Sequence, residues 1–181
     1  FGQSDGGAPR SVCGVRFRSR APRPYVGHRV AAWARIGRRV RVLFVDDDLE
    51  NVSFCVAALN SAGVAQAVAV ATVEAAVRAL HEERVDILVM DLFIPMGHSP
   101  AGPLGPRARK YAENLWDLGG PVLLDELERV ANPPLTLLHT ACRDHVVLEL
   151  TRERVAARIR KPAPAEVLLE AVLSAIRNPE G

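Results

Sequence analysis

Four short apolar runs in this sequence each stop on polar side chains that could take part in chemistry. Carboxylates follow two of the runs, a hydroxyl follows the third and an ammonium group follows the fourth. The residues are Asp46 and Asp47, Asp91, Thr140 and Lys161. Crowded carboxylates repel one another and demand a cation, and oxygen ligands without His or Cys select a hard ion such as Mg²⁺. Because a hydroxyl and an ammonium group suit phosphate oxygens, the set is consistent with attack by an aspartate on a phosphoryl donor.

Each of these residues also has a plainer interpretation. A carboxylate at the end of a strand can be a nucleophile, a metal ligand or the cap of the next helix, and Asp91 alone does not distinguish these. Asp46 and Asp47 could cap a helix, Thr140 could do the same, and Lys161 could be solvated. The choice depends on whether the fold brings all five side chains together.

A doubly wound α/β sheet would do so. Residues 87–90 show no alternation of apolar and polar side chains, which is typical of a strand buried on both faces of a parallel sheet. Strands and helices alternate, which favours right-handed crossovers and places the carboxyl ends of the strands at one edge. Strands are predicted at 40–45, 67–71, 87–90, 135–138 and 156–160. Helices are predicted at 49–59, 73–80, 122–130, 144–150 and 164–176, with Thr72 capping the second and Gly63 following the first.

The connection after the third strand departs from this pattern. Residues 97–106 are rich in Gly and Pro, and a short helix is predicted to follow, with Gly119 and Gly120 ending it. This helix carries apolar residues such as Tyr111 and Leu115, so we expect it to dock, either on the rim above Asp91 as a lid or on a partner protein. Residues 97–118 are therefore interpreted as an insertion.

The two parts of the chain differ in charge. Residues 1–40 hold nine arginines and a single acid, whereas the whole chain has a net charge of only +2, so the remainder is acidic. Residues 1–39 are expected to be a disordered basic extension or to include residues from outside the natural domain, and residues 40–178 are expected to be one domain. Contact with nucleic acid or anionic lipid is expected only through the basic arm. The few residues after Asn178 are expected to be too short for an output domain.

Other polar residues receive no chemical role. Asp48 is expected to cap the following helix, and His139 and His145 are expected to be structural or exposed because they lack partner spacing. The cysteines are odd in number and widely spaced, which favours reduced thiols in a cytoplasm over a disulfide framework. They are Cys13, Cys55 and Cys142. No apolar run approaches the roughly 20 residues that span a bilayer.

Four motifs, in order and spacing, resemble the receiver domains of two-component response regulators. They are Val-Leu-Phe-Val-Asp-Asp-Asp at 42–48, Val-Met-Asp-Leu-Phe-Ile-Pro at 89–95, Leu-His-Thr-Ala at 138–141 and Arg-Lys-Pro at 160–162. The resemblance implies an α/β fold of flavodoxin-like topology with five parallel strands. It also implies that Asp91 is the phosphoacceptor and that Asp46 and Asp47 hold Mg²⁺, with Asp91 and the backbone carbonyl of Phe93 as further ligands.

Two more residues match the family, and one position departs from it. Thr140 resembles the switch hydroxyl that moves onto the phosphate, and Lys161 resembles the family's lysine, which precedes a cis bond to Pro162. The family usually has an aromatic residue three positions before this lysine, where this chain has Arg158. This departure puts the usual coupling between hydroxyl and aromatic ring in doubt.

The resemblance implies a signalling protein rather than an enzyme. A sensor histidine kinase or phosphotransfer protein would donate the phosphoryl group. Phosphorylation would then switch a surface formed by the helix at 144–150, the strand at 156–160 and the last helix, which would bind a downstream protein; the 97–118 insertion is the alternative contact. Two alternatives stay open: a phosphorylation-silent scaffold, and an aspartyl-phosphate phosphohydrolase that uses Asp46, Asp47 and Asp48 as an Asp-x-Asp motif.

Overall fold

The sheet is parallel over five strands, as the buried apolar runs predict. The structure is a computed structural model, and it describes residues 16–17, 39–97 and 118–178. The parallel strands are β1 (Val40–Val45), β2 (Ala65–Val70), β3 (Ile87–Met90), β4 (Leu135–Thr140) and β5 (Ala157–Arg160). Their order across the sheet is β2-β1-β3-β4-β5, which is the doubly wound, flavodoxin-like arrangement.

Helices connect the strands and cover both faces of the sheet. They are α1 (Glu50–Ser61), α2 (Val73–Glu82), α3 (Gly119–Leu127), α4 (His145–Thr151) and α5 (Ala165–Arg177). Leu88 and Met90 of β3 pack in a core with α2 and α3, whereas Ile87 and Val89 pack in a second core with α1 and α5. Because both faces of β3 are buried, its four residues are all apolar.

Three predicted helix boundaries are confirmed. The hydroxyl of Thr72 accepts a hydrogen bond from the backbone N–H of Ala75 at 3.2 Å and so caps α2. A carboxylate oxygen of Asp48 accepts from the N–H of Glu50, the first residue of α1, at 3.1 Å. Gly63 follows the end of α1 with a φ of 66°, a conformation that suits glycine.

The start of α3 differs from the prediction. Gly119 and Gly120 are the first two residues of α3, which also stops at Leu127 rather than at residue 130, whereas the helix that they were predicted to end lies outside the described residues. Their backbone N–H groups donate to the carbonyl oxygens of Ile94, at 2.9 Å, and of Leu92, at 3.0 Å. A Cβ atom on Gly120 would lie 2.6 Å from Leu92 Cα. The glycines are therefore needed for a close approach of two backbones, which a helix-ending signal does not reveal.

A two-residue strand, Arg16–Phe17, extends the sheet beyond the five parallel strands. It pairs antiparallel with β5, with Arg16 opposite Arg158 and Phe17 opposite Ala157. The sequence does not predict this strand, because two residues show no periodicity. The rest of the predicted extension, residues 1–15 and 18–38, lies outside the described residues. So does the predicted insertion between Gly97 and Leu118, including its helix and the proposed lid.

Candidate functional site

The carboxyl ends of β1, β3 and β5 lie at the same edge of the sheet, and the backbone hydrogen bonds of each strand to a neighbouring strand continue one residue past its end. The N–H of Asp46 donates to the carbonyl of Val70 at 3.1 Å, and the N–H of Asp91 donates to the carbonyl of Val45 at 2.9 Å. The N–H of Lys161 donates to the carbonyl of Thr140 at 3.0 Å. Each polar side chain is thus fixed one residue beyond a strand, at the same edge of the sheet.

Lys161 bridges two buried carboxylates at this edge. Its Nζ lies 2.6 Å from Oδ2 of Asp46 and 2.7 Å from Oδ2 of Asp91. Asp46 and Asp91 are both buried, and the lysine side chain is 14% exposed. Burial lowers the pKa of Lys161, but its hydrogen bonds and charge interactions with the two aspartates outweigh that effect and raise the pKa overall. The lysine is therefore held in its charged form.

Asp46 remains costly to ionise despite these contacts. Its Oδ1 accepts from the N–H of Asp48 at 3.2 Å and from Nδ2 of Asn51 at 3.3 Å, while Lys161 holds Oδ2. Burial raises the pKa of Asp46, and the nearby charge of Asp91 adds to this; the contacts with Lys161 and Asn51 reduce the shift without cancelling it. A site with such an excess of buried negative charge favours binding of a cation.

Three carboxylates are close enough to share one metal ion. Each of Asp46, Asp47 and Asp91 places a carboxylate oxygen within 4.8 Å of the others, and Asp47 is the exposed member. Carboxylate oxygens are the donors that Mg²⁺ prefers, so the residues present fit this ion. Phe93 follows Asp91 by two residues, and its N–H donates to Oδ1 of Asp91 at 3.2 Å. Its carbonyl as a further ligand stays a prediction.

Thr140 is fully buried at the end of β4 and does not cap a helix. Its hydroxyl oxygen accepts from the N–H of Cys142 at 3.2 Å. Helix α4 is capped instead by Asp144, whose side chain accepts from the N–H groups of Val146 and Val147. Arg158 contacts the same short loop, since its Nη2 donates to the carbonyl of Cys142 at 3.4 Å. Thr140 therefore binds the backbone N–H of Cys142, and Arg158 binds the carbonyl oxygen of the same residue.

His139 is the residue of this site to which the sequence analysis gave no role. It precedes Thr140 in β4, is 4% exposed, and its Nδ1 lies 3.9 Å from Oδ2 of Asp46. Burial lowers the pKa of His139 to about 4, with the charge of Lys161 adding to this and that of Asp91 opposing it, so the ring is neutral at pH 7. The sequence feature that could have identified His139 is its position beside Thr140, at the end of a buried strand that reaches the same edge of the sheet.

The backbone after Asp91 is rigidly held. Oδ1 of Asp91 accepts from the N–H of Leu92 at 2.5 Å as well as from Phe93. Leu92 is also the residue against which Gly120 packs. Lys161 precedes Pro162 in a cis peptide bond, as the resemblance implied. The Asp91 carboxylate is thus fixed from both sides, by two N–H groups and by the lysine.

Comparisons with known proteins identify the fold. No family model matches the sequence, and no curated protein matches it. Many solved structures do. A CheY-like receiver domain from Methanospirillum hungatei JF-1 is 18% identical with a TM-score of 0.61, and the match covers 79% of this chain and 98% of that one. The signal receiver domain of a putative Luxo repressor protein from Vibrio parahaemolyticus is 17% identical with a TM-score of 0.59, and the match covers 78% of this chain and 92% of that one.

A third solved structure with a similar fold is that of an activated receiver domain. The BeF3-activated receiver domain of DrrB, a protein of Thermotoga maritima, is 18% identical with a TM-score of 0.55; the match covers 77% of this chain and 99% of that domain. At these identities the matches establish the fold of a response regulator receiver domain. Among the described residues, no helix is long and apolar enough to cross a membrane.

Proposed function

We propose that this chain is a phosphoacceptor in a two-component phosphorelay. It would accept a phosphoryl group on Asp91 from a phosphohistidine of a sensor kinase or phosphotransfer protein, and act as a signalling switch rather than as an enzyme on other substrates. The observation that carries the proposal is the bridge from Lys161 to Asp46 and Asp91, with Asp47 adjacent, on a receiver fold. A receiver fold alone would leave the phosphorylation-silent scaffold equally open.

The Asp91 carboxylate is suited to be the nucleophile. One of its oxygens would attack phosphorus, forming an O–P bond as the P–N bond to the donor histidine breaks, and the leaving imidazole nitrogen would keep the electron pair. Mg²⁺ bound by Asp46, Asp47, Asp91 and the Phe93 carbonyl would neutralise charge on the carboxylates and the phosphoryl oxygens. The N–H contacts to Oδ1 of Asp91 fix the attacking group in position.

Lys161 and Thr140 would bind the product. The ammonium group already contacts Asp91, so it needs only a small displacement to pair with a phosphoryl oxygen there. The Thr140 hydroxyl would leave the N–H of Cys142 and donate to the phosphoryl group. That movement would alter the loop that Arg158 holds and thereby α4, where Val146 and Leu150 are 68% and 69% exposed. We propose the α4-β5-α5 surface as the site for a downstream protein partner.

The phosphohydrolase alternative has less support from the geometry. It requires a nucleophile on the Asp46–Asp48 segment, but Asp46 is buried under Lys161 and Asp48 caps α1. It also leaves Asp91 without a role.

We propose a cytoplasmic location for the protein because two of its cysteines, Cys55 and Cys142, are buried free thiols.

Incubation with acetyl phosphate and Mg²⁺, followed by intact mass measurement, tests the proposal. The parent should gain one acid-stable, base-labile phosphoryl group, and Asp91→Asn should gain none while keeping its fold, because the amide has nearly the same shape and is not nucleophilic. Asp48→Asn is the matched control, since it changes a neighbouring exposed carboxylate and should still be labelled. Uptake by Asp91→Asn would remove Asp91 from the role. Absence of uptake by the parent would favour the silent scaffold.

A further inference from the structure

His139 is buried beside the site without any hydrogen bond. Within the part of the chain that the structure describes, neither Nδ1 nor Nε2 has a partner, and the side chain is 5% exposed. An orphaned ring nitrogen in a buried position is unfavourable, and such groups in proteins call for an explanation. A hydrophobic residue would fill this strand position without that cost. The imidazole is therefore expected to be used in another state of the site.

Oδ2 of Asp46 is a polar atom close to the ring of His139. The separation from Nδ1 is 3.9 Å, so an approach of about 1 Å would make a hydrogen bond. In the described state this oxygen is already held by Lys161 at 2.6 Å. Direct metal binding by His139 is not supported, because the cluster with mutually close ligand atoms consists of the three aspartates without the imidazole.

We propose that His139 is a positioning residue for Asp46, donating its Nδ1–H to Oδ2 of Asp46 when Lys161 turns to a phosphoryl group on Asp91. The role of the phosphoryl group in this exchange rests on the proposed function. The change of hydrogen-bond donor to Asp46, from Lys161 to His139, does not. A phosphoryl oxygen offers Lys161 a new anionic partner, which weakens its hold on Asp46. The neutral imidazole then supplies a donor from the same buried side, and Asp46 keeps its orientation. Hydrogen-bonded supports of this kind typically change metal affinity by about 10-fold to 100-fold when removed.

The exchange can be observed directly by ¹⁵N NMR of the histidine ring. In the metal-free parent, Nδ1 of His139 should show no hydrogen bond. In Lys161→Met, where the competing donor is missing, Nδ1 should be protonated and hydrogen-bonded to Asp46 without any phosphoryl group. The parent with Mg²⁺ and beryllofluoride should show the same resonance. If folded Lys161→Met keeps an unbonded Nδ1, the proposal is overturned.

Three substitutions separate positioning from packing. His139→Leu should raise the melting temperature of the metal-free protein by roughly 2 °C or more, because it removes an orphaned polar ring. In the presence of beryllofluoride, which stands in for the phosphoryl group, the same variant should bind Mg²⁺ about 10-fold more weakly, and it should accept a phosphoryl group from acetyl phosphate about 10-fold more slowly. His139→Asn places an amide N–H near the position of Nδ1 and should restore most of the Mg²⁺ affinity, whereas His139→Gln, whose amide lies near Nε2, should not. The control is the exposed residue His145, replaced by Gln.

The outcomes distinguish this proposal from the proposed function. If the parent takes up no phosphoryl group but Nδ1 engages Asp46 in Lys161→Met, the phosphorelay role fails and the role of His139 stands. If the parent is phosphorylated and His139→Leu matches it in both Mg²⁺ affinity and rate, His139 is only a core residue. Equal Mg²⁺ affinities in the Asn and Gln variants would likewise overturn the assignment to Nδ1.

Discussion

Replacing Lys161 with methionine should destabilise the metal-free domain strongly, because it leaves two buried carboxylates without their shared cation. Methionine keeps most of the side-chain length and removes the charge. The side chains of Asp46 and Asp91 are 2% and 6% exposed, so water screens their repulsion poorly. Removing one partner from a buried ion pair typically costs 3–5 kcal/mol. We expect about 3 kcal/mol at pH 7, since partial protonation of the carboxylates recovers some of the loss, or on the order of 10 °C in melting temperature.

The pH dependence of this loss has a defined sign. The pKa of Asp46 is raised above 3.8 even with Lys161 present, and losing the lysine raises it further. Between 3.8 and the raised value the folded variant binds more protons than the unfolded chain, so its stability rises as the pH falls through that range. The pKa of Lys161 is raised above 10.5, so the stabilisation it gives the parent is complete below 10.5 and declines as the pH rises further. The difference between parent and variant should therefore be largest between neutral pH and about pH 10.

Urea denaturation in EDTA at a series of pH values measures this difference. Arg177→Met serves as the control, because Arg177 pairs with Glu170 in an exposed position and its loss should change the free energy of unfolding little. Adding Asp46→Asn to Lys161→Met should recover more than half of the loss, since it removes one uncompensated charge. A loss below about 1 kcal/mol, or one that does not shrink at acid pH, would refute the argument that Lys161 compensates buried charge.

Three further results are expected. Asp47→Ala should abolish Mg²⁺ binding in calorimetry while raising the stability of the metal-free domain by up to about 1 kcal/mol through relief of like-charge repulsion; Asp48→Ala should keep the binding, and equal Mg²⁺ affinity in both variants would contradict the ligand assignment. Gly120→Ala should lower the free energy of unfolding by about 1–3 kcal/mol, because the new Cβ would lie 2.6 Å from Leu92 Cα; an unchanged denaturation midpoint would show that α3 can shift freely. Lys161→Ala should permit phosphorylation and block the change in amide NMR shifts, which identical shift changes in parent and variant would exclude.

The sequence predicts this site well where chemistry coincides with strand ends. An apolar run that stops on Asp91 specifies both a buried strand and the side chain that follows it, so the convergence of Asp46, Asp91 and Lys161 follows from the parallel topology. Their roles in phosphoryl transfer stay predictions. The structure adds a contact that topology does not give, namely that a single ammonium group bridges both carboxylates.

The features that were missed depend on contacts between segments distant in sequence. His139 looks like any polar residue in a strand until Asp46 is placed 3.9 Å from it. Gly119 and Gly120 carry the same local signal whether they end one helix or begin the next, and only the backbone at Leu92 and Ile94 decides. The strand Arg16–Phe17 has no pattern of its own, because its pairing partner is an edge strand more than a hundred residues away.

The hydrogen bonds from Gly119 and Gly120 to Ile94 and Leu92 also determine how freely the length of the β3-α3 connection can vary. The chain that continues past Ile94 returns to the carbonyl of Ile94 at Gly119, so the two ends of the connection are fixed independently of what lies between them. The entropy of closing such a loop grows only with the logarithm of its length, about 0.6 kcal/mol per doubling. A segment at this position can lengthen, shorten or acquire a binding motif during evolution at little cost to the sheet, and it would do so a few residues from Asp91.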